Sequence, residues 1–310
     1  MKILFMGTPD IAAITLSRLL DDGHNIVACI SGEDKPRGRG NVMTPTPTKK
    51  LATERGIAVF TPKTLRDDAF LDLLKEINPD CVVVVAYGKI LPKAVIDFPR
   101  LGCINMHVSL LPKYRGAAPM QRAIIDGEEE TGVSVMYMDE GLDTGDIIDT
   151  VRFPILKTDN FEDIHDRSAD LGSELLSKTL VKIKEGTATR TPQNSYLATY
   201  AKKIEKEDAK IDFKGNAKTL DCLIRGTTPI PGAWAYLGDK LIKITKEEPI
   251  EASGNPGEVI AVDQKGQGSF TVACGSGALR VLEVIFEGKG KMSAGDFVRG
   301  RRIALGDCLK

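Results

Sequence analysis

The hydrophobic and polar positions in the first half of the chain alternate between two periods. Short apolar runs such as KILFMG, NIVACIS and CVVVVAYG have the length and composition of buried strands, and segments with helical spacing separate them. Pro9 suits the first turn of the first predicted helix, and Gly23 suits its carboxyl-terminal cap. A fifth apolar run, GCINMHV, continues the series. This alternation predicts a doubly wound, mostly parallel α/β sheet, in which ligands bind beyond the carboxyl ends of the strands.

The pattern changes after residue 130. GVSVMYM and DIIDTVRFPI are predicted to form paired strands joined by the Gly-rich loop DEGLDTGD, and a long amphipathic helix follows at 160–185. A polar, weakly periodic stretch then leads to five short apolar segments with Gly-rich turns, which predict a small, OB-like β-barrel. We therefore expect an α/β domain over residues 1–188, a linker over 189–208 and a C-terminal barrel domain over 209–310.

Composition narrows the class of protein only slightly. The 310 residues are 42% hydrophobic, which supports real cores, and the net charge of -1 does not by itself indicate a polyanionic partner. Residues 201–310 are modestly basic, with 18 basic and 15 acidic side chains. The six cysteines form no CxxC pair and have no zinc spacing, so we expect a reducing compartment. Because no apolar run approaches the ~20 residues of a membrane helix, no membrane span is expected.

An Asn and a His lie two residues apart at the end of the fifth predicted strand. The strand period of two places Asn105 and His107 on the same side, toward the expected ligand. An Asn amide donates to a developing oxyanion, and a His transfers protons near neutral pH, so the pair suits acyl transfer. Such chemistry also requires a carboxylate, and the loop DEGLDTGD supplies candidates, among which Asp143 is flanked by glycines. The alternative is a histidine with a purely structural role.

These motifs resemble those of a known family. NMHVSLLPKYRGAAP followed by EGLDTGDI resembles the Asn-x-His-x-Ser-Leu-Leu-Pro and Leu-Asp-Thr-Gly patterns of the folate-dependent formyltransferases. MKILFMGTPDIA, DKPRGRGNVMTPTP and IRGTTPIPGAWAYL resemble the family's amino terminus, its basic loop and the start of its C-terminal barrel, so the resemblance covers essentially the whole chain. Val108 departs from the pattern, because relatives usually carry a smaller residue or Pro there. We expect its side chain to face away from those of its two neighbours, so its extra bulk bears on the fine shape of the loop and not on the reaction.

The resemblance implies both substrates. The formyl donor is 10-formyltetrahydrofolate, and the acceptor of the branch that matches best is the α-amino group of methionyl initiator tRNA, as used in translation initiation. It implies catalytic roles for Asn105, His107 and Asp143. It also implies a folate-contacting segment made of Ser109, Leu110, Leu111 and Pro112. No His, Cys or carboxylate cluster has metal spacing, so we expect no metal. A monomer in the bacterial cytoplasm is the expected setting.

Basic side chains predict where tRNA binds. In the family, the basic loop after the second strand contacts the acceptor stem, and Arg39 in its Gly-Arg-Gly setting is the best candidate for a key contact. Salt-dependent contacts to phosphates are predicted from the loop and the linker together, namely from Lys35, Arg37, Arg39, Lys202, Lys203 and Lys206. The alternative for each charge is a solvated surface side chain.

Four rival functions share part of this pattern. Formyltransferases that act on a nucleotide-linked amino sugar also carry the motif and a C-terminal barrel, but the basic PRGRG loop favours tRNA. A glycinamide ribonucleotide formyltransferase generally lacks the additional C-terminal domain. A formyltetrahydrofolate hydrolase would not need a C-terminal domain that binds tRNA. A non-catalytic RNA-binding protein would not require Asn105, His107 and Asp143 together.

Overall fold

The computed structural model describes residues 1–37 and 40–310, with the backbone alone of Arg37. The chain divides into two compact units. The first unit comprises Met1–Gly116, Glu130–Phe153 and His165–Ala201. The second unit comprises Ala117–Glu129, Pro154–Ile164 and Lys202–Lys310.

The elements follow the chain in this order. Through residue 116 the strands are Ile3–Gly7 (β1), Ile26–Ile30 (β2), Lys35–Arg37 (β3), Val42–Thr44 (β4), Val59–Phe60 (β5), Cys81–Val85 (β6), Cys103–His107 (β7) and Arg115–Gly116 (β8). The helices of the same segment are Asp10–Asp21 (α1), Pro47–Glu54 (α2), Asp68–Ile77 (α3) and Lys93–Ile96 (α4). The middle of the chain adds Pro119–Ile125 (α5), Glu130–Tyr137 (β9), Ile147–Pro154 (β10), Phe161–Glu185 (α6) and Tyr200–Ala201 (β11). The last third forms Ala217–Thr227 (α7), Trp234–Leu237 (β12), Lys240–Ile250 (β13), Val259–Asp263 (β14), Ser269–Ala273 (β15), Ala278–Phe286 (β16), Lys291–Ser293 (β17) and Ala294–Arg299 (α8).

The first unit is built on a seven-stranded sheet with the order β10-β9-β7-β6-β1-β2-β5. Strands β1, β2, β5, β6 and β7 pair in parallel, whereas β9 runs antiparallel to β7. Every residue of β1, β6 and β7 is buried, which explains why these strands have almost continuous apolar sequences. The prediction of a doubly wound, mostly parallel sheet is therefore confirmed.

Local signals in the sequence set the helix boundaries. The Thr46 side chain accepts a hydrogen bond from the backbone N of Lys49 and so caps α2, which begins with a proline. Asp67 caps α3 in the same way, and this helix ends at Asn78 in a left-handed conformation. These caps hold the helices that connect the strands of the parallel sheet.

The second unit contains an antiparallel sheet with the order β12-β13-β16-β15-β14, and β17 also pairs with β16, at residues 283–285. Its core packs Phe270 of β15 against Phe297 of α8, with their ring centroids 6.2 Å apart. This architecture confirms the predicted small C-terminal barrel. The sequence pattern missed β17 and α8, because three and six residues are too short to show a period.

The polar stretches have more structure than the sequence suggested. The flanks of the basic loop pair as an antiparallel ribbon in which Lys35 lies opposite Thr44. The predicted key residue Arg39 lies outside the described residues. The predicted linker contains two short 3₁₀ turns, Ser195–Leu197 and Glu207–Ala209, with β11 between them. Throughout residues 1–37 and 40–310, no helix is both long and apolar enough to cross a bilayer.

The single tryptophan of the chain lies in the second unit. Trp234 is buried at the start of β12, and its indole Nε1 donates a 2.8 Å hydrogen bond to the carbonyl oxygen of Lys206. The ammonium group of Lys206 lies 5.4 Å from the centroid of the same ring, and that of Lys210 lies 5.7 Å away. These contacts fasten the end of the predicted linker to the sheet of the second unit.

Candidate active site

Two polar side chains at the carboxyl end of β7 begin the site. Asn105 lies opposite Val84 of the parallel strand β6 and opposite Met136 of the antiparallel strand β9. Both Asn105 and His107 are enclosed, with 9% and 6% of their surface exposed. Because strand side chains alternate, both point to the same side of the sheet. The strand thus fixes an amide and an imidazole next to each other.

The loop between β9 and β10, residues 138–146, brings a carboxylate to the same place. Gly145 lies against the backbone of Tyr137, where an added Cβ would be only 1.9 Å from the carbonyl oxygen, so glycine is required. Asp143 adopts a left-handed backbone with a φ of 52°, which is unfavourable for a residue with a side chain. The loop therefore holds Asp143 in a conformation that its surroundings must enforce.

The Asp143 carboxylate faces both side chains of β7. Its Oδ1 accepts from Asn105 Nδ2 at 3.5 Å, and its Oδ2 lies 3.7 Å from Nδ1 of His107. The backbone N of Gly116 donates a shorter bond to Oδ2, at 2.8 Å. The two side-chain distances are longer than ordinary hydrogen bonds. Asn105, His107 and Asp143, which the sequence singled out, are thus brought together.

The other nitrogen of the His107 ring has a fixed partner. Nε2 lies 2.9 Å from the carbonyl oxygen of Tyr114. Since a carbonyl only accepts, we assign the proton to Nε2, which leaves Nδ1 toward Asp143. Both ring nitrogens therefore face oxygen atoms that accept hydrogen bonds. Tyr114 itself has a left-handed φ of 59°.

The turn after β7 holds the four residues expected to contact folate. Ser109 is fully buried, and its hydroxyl donates to the carbonyl oxygen of Lys113 at 2.7 Å. Leu111 is also buried, and its backbone N donates to the hydroxyl of Ser134. Leu110 and Pro112 are half-buried. The side chains of Ser109 and Leu111 thus stabilise the turn from inside.

The neighbouring strand β6 ends in a similarly rigid segment. Ala86 has a left-handed φ of 44°, and the carbonyl oxygen of Tyr87 accepts from the hydroxyl of Thr8 at 3.1 Å. Burial of Tyr87, followed by the influence of Cys29, raises the pKa of its hydroxyl to about 12. The hydroxyl therefore stays neutral in the hydrophobic core of the first unit.

The lysines predicted to bind tRNA are on the surface. Lys35 on β3 is exposed, as are Lys202, Lys203 and Lys206. Lys203 pairs with Glu205 at 2.9 Å, and Lys206 is held at the Trp234 ring.

Some groups in the site were not found from the sequence. Tyr114 and Gly116 act through backbone atoms, which leave no residue-type signal beyond the glycine itself. Gln193 donates from Nε2 to the carbonyl oxygens of Asp143 and Gly145, but it lies in a stretch that showed no period. Within the described part of the chain, no three His, Cys, Asp or Glu side chains are grouped to hold a metal ion.

Family models match both parts of the chain. The model described as "Formyl transferase" matches residues 1–180, and the one described as "Formyl transferase, C-terminal domain" matches residues 203–302. Together they span most of the sequence in the order that the fold requires.

Individual relatives give the same result. The chain is 45% identical over 313 residues to the methionyl-tRNA formyltransferase of Caldanaerobacter subterraneus subsp. tengcongensis, covering 100% of both chains. It is 43% identical over 309 residues to the methionyl-tRNA formyltransferase of Citrifermentans bemidjiense, covering 100% of this chain and 96% of the other. Its fold is similar to the crystal structure of an N-formyltransferase from Helicobacter canadensis in complex with folinic acid and dTDP-3-aminofucose. That match has a TM-score of 0.65 and 20% identity, and it covers 91% of this chain and 98% of the other. The chain therefore belongs to the formyltransferase family.

Proposed function

We propose that this formyltransferase moves the formyl group of 10-formyltetrahydrofolate to the α-amino group of methionyl initiator tRNA. The convergence of Asn105, His107 and Asp143 at the strand ends is the observation that carries this proposal. The names and full-length identity of the relatives support the choice of substrate. The products are N-formylmethionyl-tRNA and tetrahydrofolate.

The proposed reaction begins when the neutral amine attacks the formyl carbon. A C–N bond forms, and the carbonyl oxygen acquires negative charge as the carbon becomes tetrahedral. The Asn105 amide and a protonated His107 stabilise this oxyanion, because neither is committed to a short side-chain hydrogen bond with Asp143. Removal of one such donor typically costs about 10²–10³ in rate.

The intermediate then collapses with a proton transfer. The bond between the formyl carbon and the folate nitrogen breaks, and the proton lost by the attacking amine is delivered to that leaving nitrogen. Asp143 is proposed to orient His107 and to hold a water molecule that relays this proton. Asp143 is fastened by the backbone N of Gly116, which keeps the carboxylate aimed at both partners.

The folate is proposed to bind beside the turn that follows β7. Because Ser109 and Leu111 are turned inward, the contact is assigned to the side chains of Leu110 and Pro112 and to the backbone of the turn. Ser109 and Leu111 contribute by fixing the shape of that wall. This assignment is tested by Leu110→Ala, which should raise the KM for folate more than it lowers kcat.

The tRNA is proposed to contact the basic ribbon and the linker. Lys35, Arg37 and Arg39 would reach the acceptor stem, and Lys202, Lys203 and Lys206 would contact phosphates. Each contact of this kind releases counterions, so affinity should fall steeply as salt rises. Salt-independent binding would contradict this assignment. In this proposal the catalytic domain spans residues 1–188, the linker 189–208 and the tRNA-binding barrel domain 209–310. The enzyme works as a monomer in the cytoplasm.

A transfer assay tests the proposal directly. The protein, 10-formyltetrahydrofolate and methionyl initiator tRNA are mixed, and the aminoacyl group is released and identified by mass spectrometry. Parallel reactions contain methionyl elongator tRNA, uncharged tRNA and a nucleotide-linked amino sugar. Formylmethionine from the initiator tRNA alone is the expected result.

Formylation of the sugar is the second candidate function. It is suggested by the fold shared with the Helicobacter canadensis enzyme, whose complex contains dTDP-3-aminofucose. At 20% identity this likeness concerns the fold alone. A formylated sugar product would support the proposed roles of the catalytic residues, but it would contradict the assignment of tRNA as the acceptor.

A further inference from the structure

Residues 191–201 form a strap that connects the loop carrying Asp143 with the segment that follows β7. At one end, Thr191 and Ile147 exchange two backbone hydrogen bonds of 2.9 Å, next to the loop that carries Asp143. At the other end, Tyr200 and Ala201 pair in parallel with Arg115 and Gly116. The strap lies within residues 189–208, the predicted linker, and belongs to the first unit.

One strap side chain holds the Asp143 loop. Nε2 of Gln193 donates to the carbonyl oxygen of Asp143 at 2.9 Å and to that of Gly145 at 2.8 Å. Its Oε1 accepts from Nε and Nη2 of Arg115, at 3.1 and 2.7 Å. Only 2% of the Arg115 surface is exposed, so the Gln193 amide is fixed from behind by a buried side chain. The left-handed Asp143 is thus held by a rigid donor.

A second strap side chain holds the opposite side of His107. Oγ1 of Thr199 accepts from the backbone N of Tyr114 at 2.9 Å. Tyr114, like Asp143, has a left-handed backbone, and its carbonyl oxygen contacts Nε2 of His107. The carbonyl oxygen of Thr199 also accepts from the backbone N of Arg115. Both partners of the His107 ring are therefore set by the strap.

We propose that Gln193 is a positioning residue for the formyl transfer, and that Thr199 has the same role on the other side of His107. This inference rests on the proposed catalytic roles of His107 and Asp143. Without the two Gln193 bonds, Asp143 is free to relax from its left-handed backbone, and its carboxylate leaves both Asn105 and His107. A displacement of about 1 Å at such a group can cost ~10²-fold in rate.

Gln193→Glu separates the two halves of this contact. A carboxylate of the same shape still accepts from Arg115, but it has no N–H for the carbonyl oxygens of Asp143 and Gly145. We expect kcat to fall about 10- to 100-fold, as for a displaced catalytic group, while the KM of each substrate changes less than about twofold. Gln264→Glu adds the same charge at an exposed position in the loop after β14, and it is the matched control. The thermal unfolding midpoint of both variants is measured to show that they are folded.

The histidine ring provides a readout that does not depend on turnover. The chain has only three histidines, so selective ¹⁵N-histidine labelling gives three sets of ring signals. The ring nitrogen shifts of His107 should change in Gln193→Glu, because its partner Asp143 moves. Those of His24 and His165 serve as internal references and should stay in place.

Thr199 keeps the proposal testable if Gln193→Glu does not fold. Thr199→Val has the same shape but cannot accept from Tyr114, whereas Thr199→Ser restores the acceptor. We expect a loss of kcat in the first and recovery in the second. Unchanged kcat and unchanged His107 signals in folded Gln193→Glu would overturn the role of Gln193, and equal activity of the two Thr199 variants would overturn that of Thr199. If the unaltered protein transfers no formyl group, the proposed function fails, while the His107 signals still decide the positioning.

Discussion

The two units each enclose a cluster of charged and polar side chains, and the clusters differ in how these groups are satisfied. In the first unit, both carboxylate oxygens of Asp143 face donors, from Asn105 and Gly116. In the second unit, Glu247 on β13 lies near Asp221 of α7, and one of its carboxyl oxygens is buried with no partner among the described residues. Burial, then the charge of Asp221, raises the pKa of Glu247 to about 9.

This difference shows which property identifies a functional site. A strongly raised pKa is often used as a pointer to catalysis, but here it belongs to a carboxyl group between a helix and an antiparallel strand. Asp143 is recognised instead by position, since it meets two polar side chains at the carboxyl ends of parallel strands. We conclude that converging geometry is the better guide in this chain, and that Glu247 affects the pH dependence of stability rather than turnover.

The largest effect should follow from neutralising the first cluster. Asp143→Asn keeps the shape of the side chain but removes the charge that orients His107, so we expect kcat to fall by about 10²–10⁴ with a folded protein. The formyl transfer assay measures this loss. Glu140→Gln removes an equal charge from the same loop, at an exposed residue paired with Lys93, and should remain fully active. Comparable activity in Asp143→Asn and Glu140→Gln would contradict the assignment.

The next effect tests how tightly the Asp143 loop is built. In Gly145→Ala the new Cβ would overlap the carbonyl oxygen of Tyr137, so the loop must shift. We expect kcat to fall about tenfold or more, and the free energy of unfolding to fall by about 1–3 kcal/mol, as for other overpacked sites. Gly290→Ala, which meets no atom within 4 Å, is the control for the same substitution. Unchanged activity in Gly145→Ala would show that the loop can shift without disturbing the reaction.

A smaller effect should appear in the second cluster, and only as a function of pH. Because the folded-state pKa of Glu247 is about 9, above its ordinary 4.5, the folded protein retains a proton that the unfolded chain has lost. The free energy of unfolding therefore falls as pH rises from 4.5 to 9. Glu247→Gln has no such proton. Its thermal unfolding midpoint should therefore rise relative to that of the unaltered protein as the pH increases across this range, with transfer activity unchanged.

The neighbouring residue supplies the control for that experiment. Glu248→Gln alters an exposed carboxylate paired with Arg280, and its midpoint should follow the unaltered protein at every pH. Calorimetry at several pH values between 5 and 9 distinguishes the two variants. A constant difference between Glu247→Gln and the unaltered protein would mean that Glu247 does not titrate as argued.

The smallest effect should come from a single exposed charge outside both clusters. Lys203→Ala removes one predicted phosphate contact, so affinity for initiator tRNA should fall a few-fold at low salt and the salt slope should decrease by about one. Lys75→Ala, at an exposed lysine of α3 that also pairs with a carboxylate, is the matched control. Binding measured over a series of salt concentrations that shows equal slopes for both variants would place Lys203 outside the interface.

The sequence predicted the parts of this protein that depend on residue type and period. The apolar runs gave the parallel strands, and the Asn105–His107 spacing with a Gly-flanked Asp143 led to the groups that the structure brings together. Gln193 and Tyr114 could not be found in this way, because they act on or through backbone carbonyl oxygens that every residue has. The raised pKa of Glu247 was also missed, since Asp221, whose charge contributes to it, comes from another element.

The single tryptophan gives the second unit an optical signature of its own. Since Trp234 is buried at the start of β12, intrinsic tryptophan emission reports on the second unit alone, whereas circular dichroism records the helices of both. Unfolding curves followed by the two signals therefore reveal whether the units melt together. Lys206 lies against this ring, so a polyanion that draws its ammonium group away also changes the emission. The protein thus carries a built-in fluorescent reporter for events at the end of its linker.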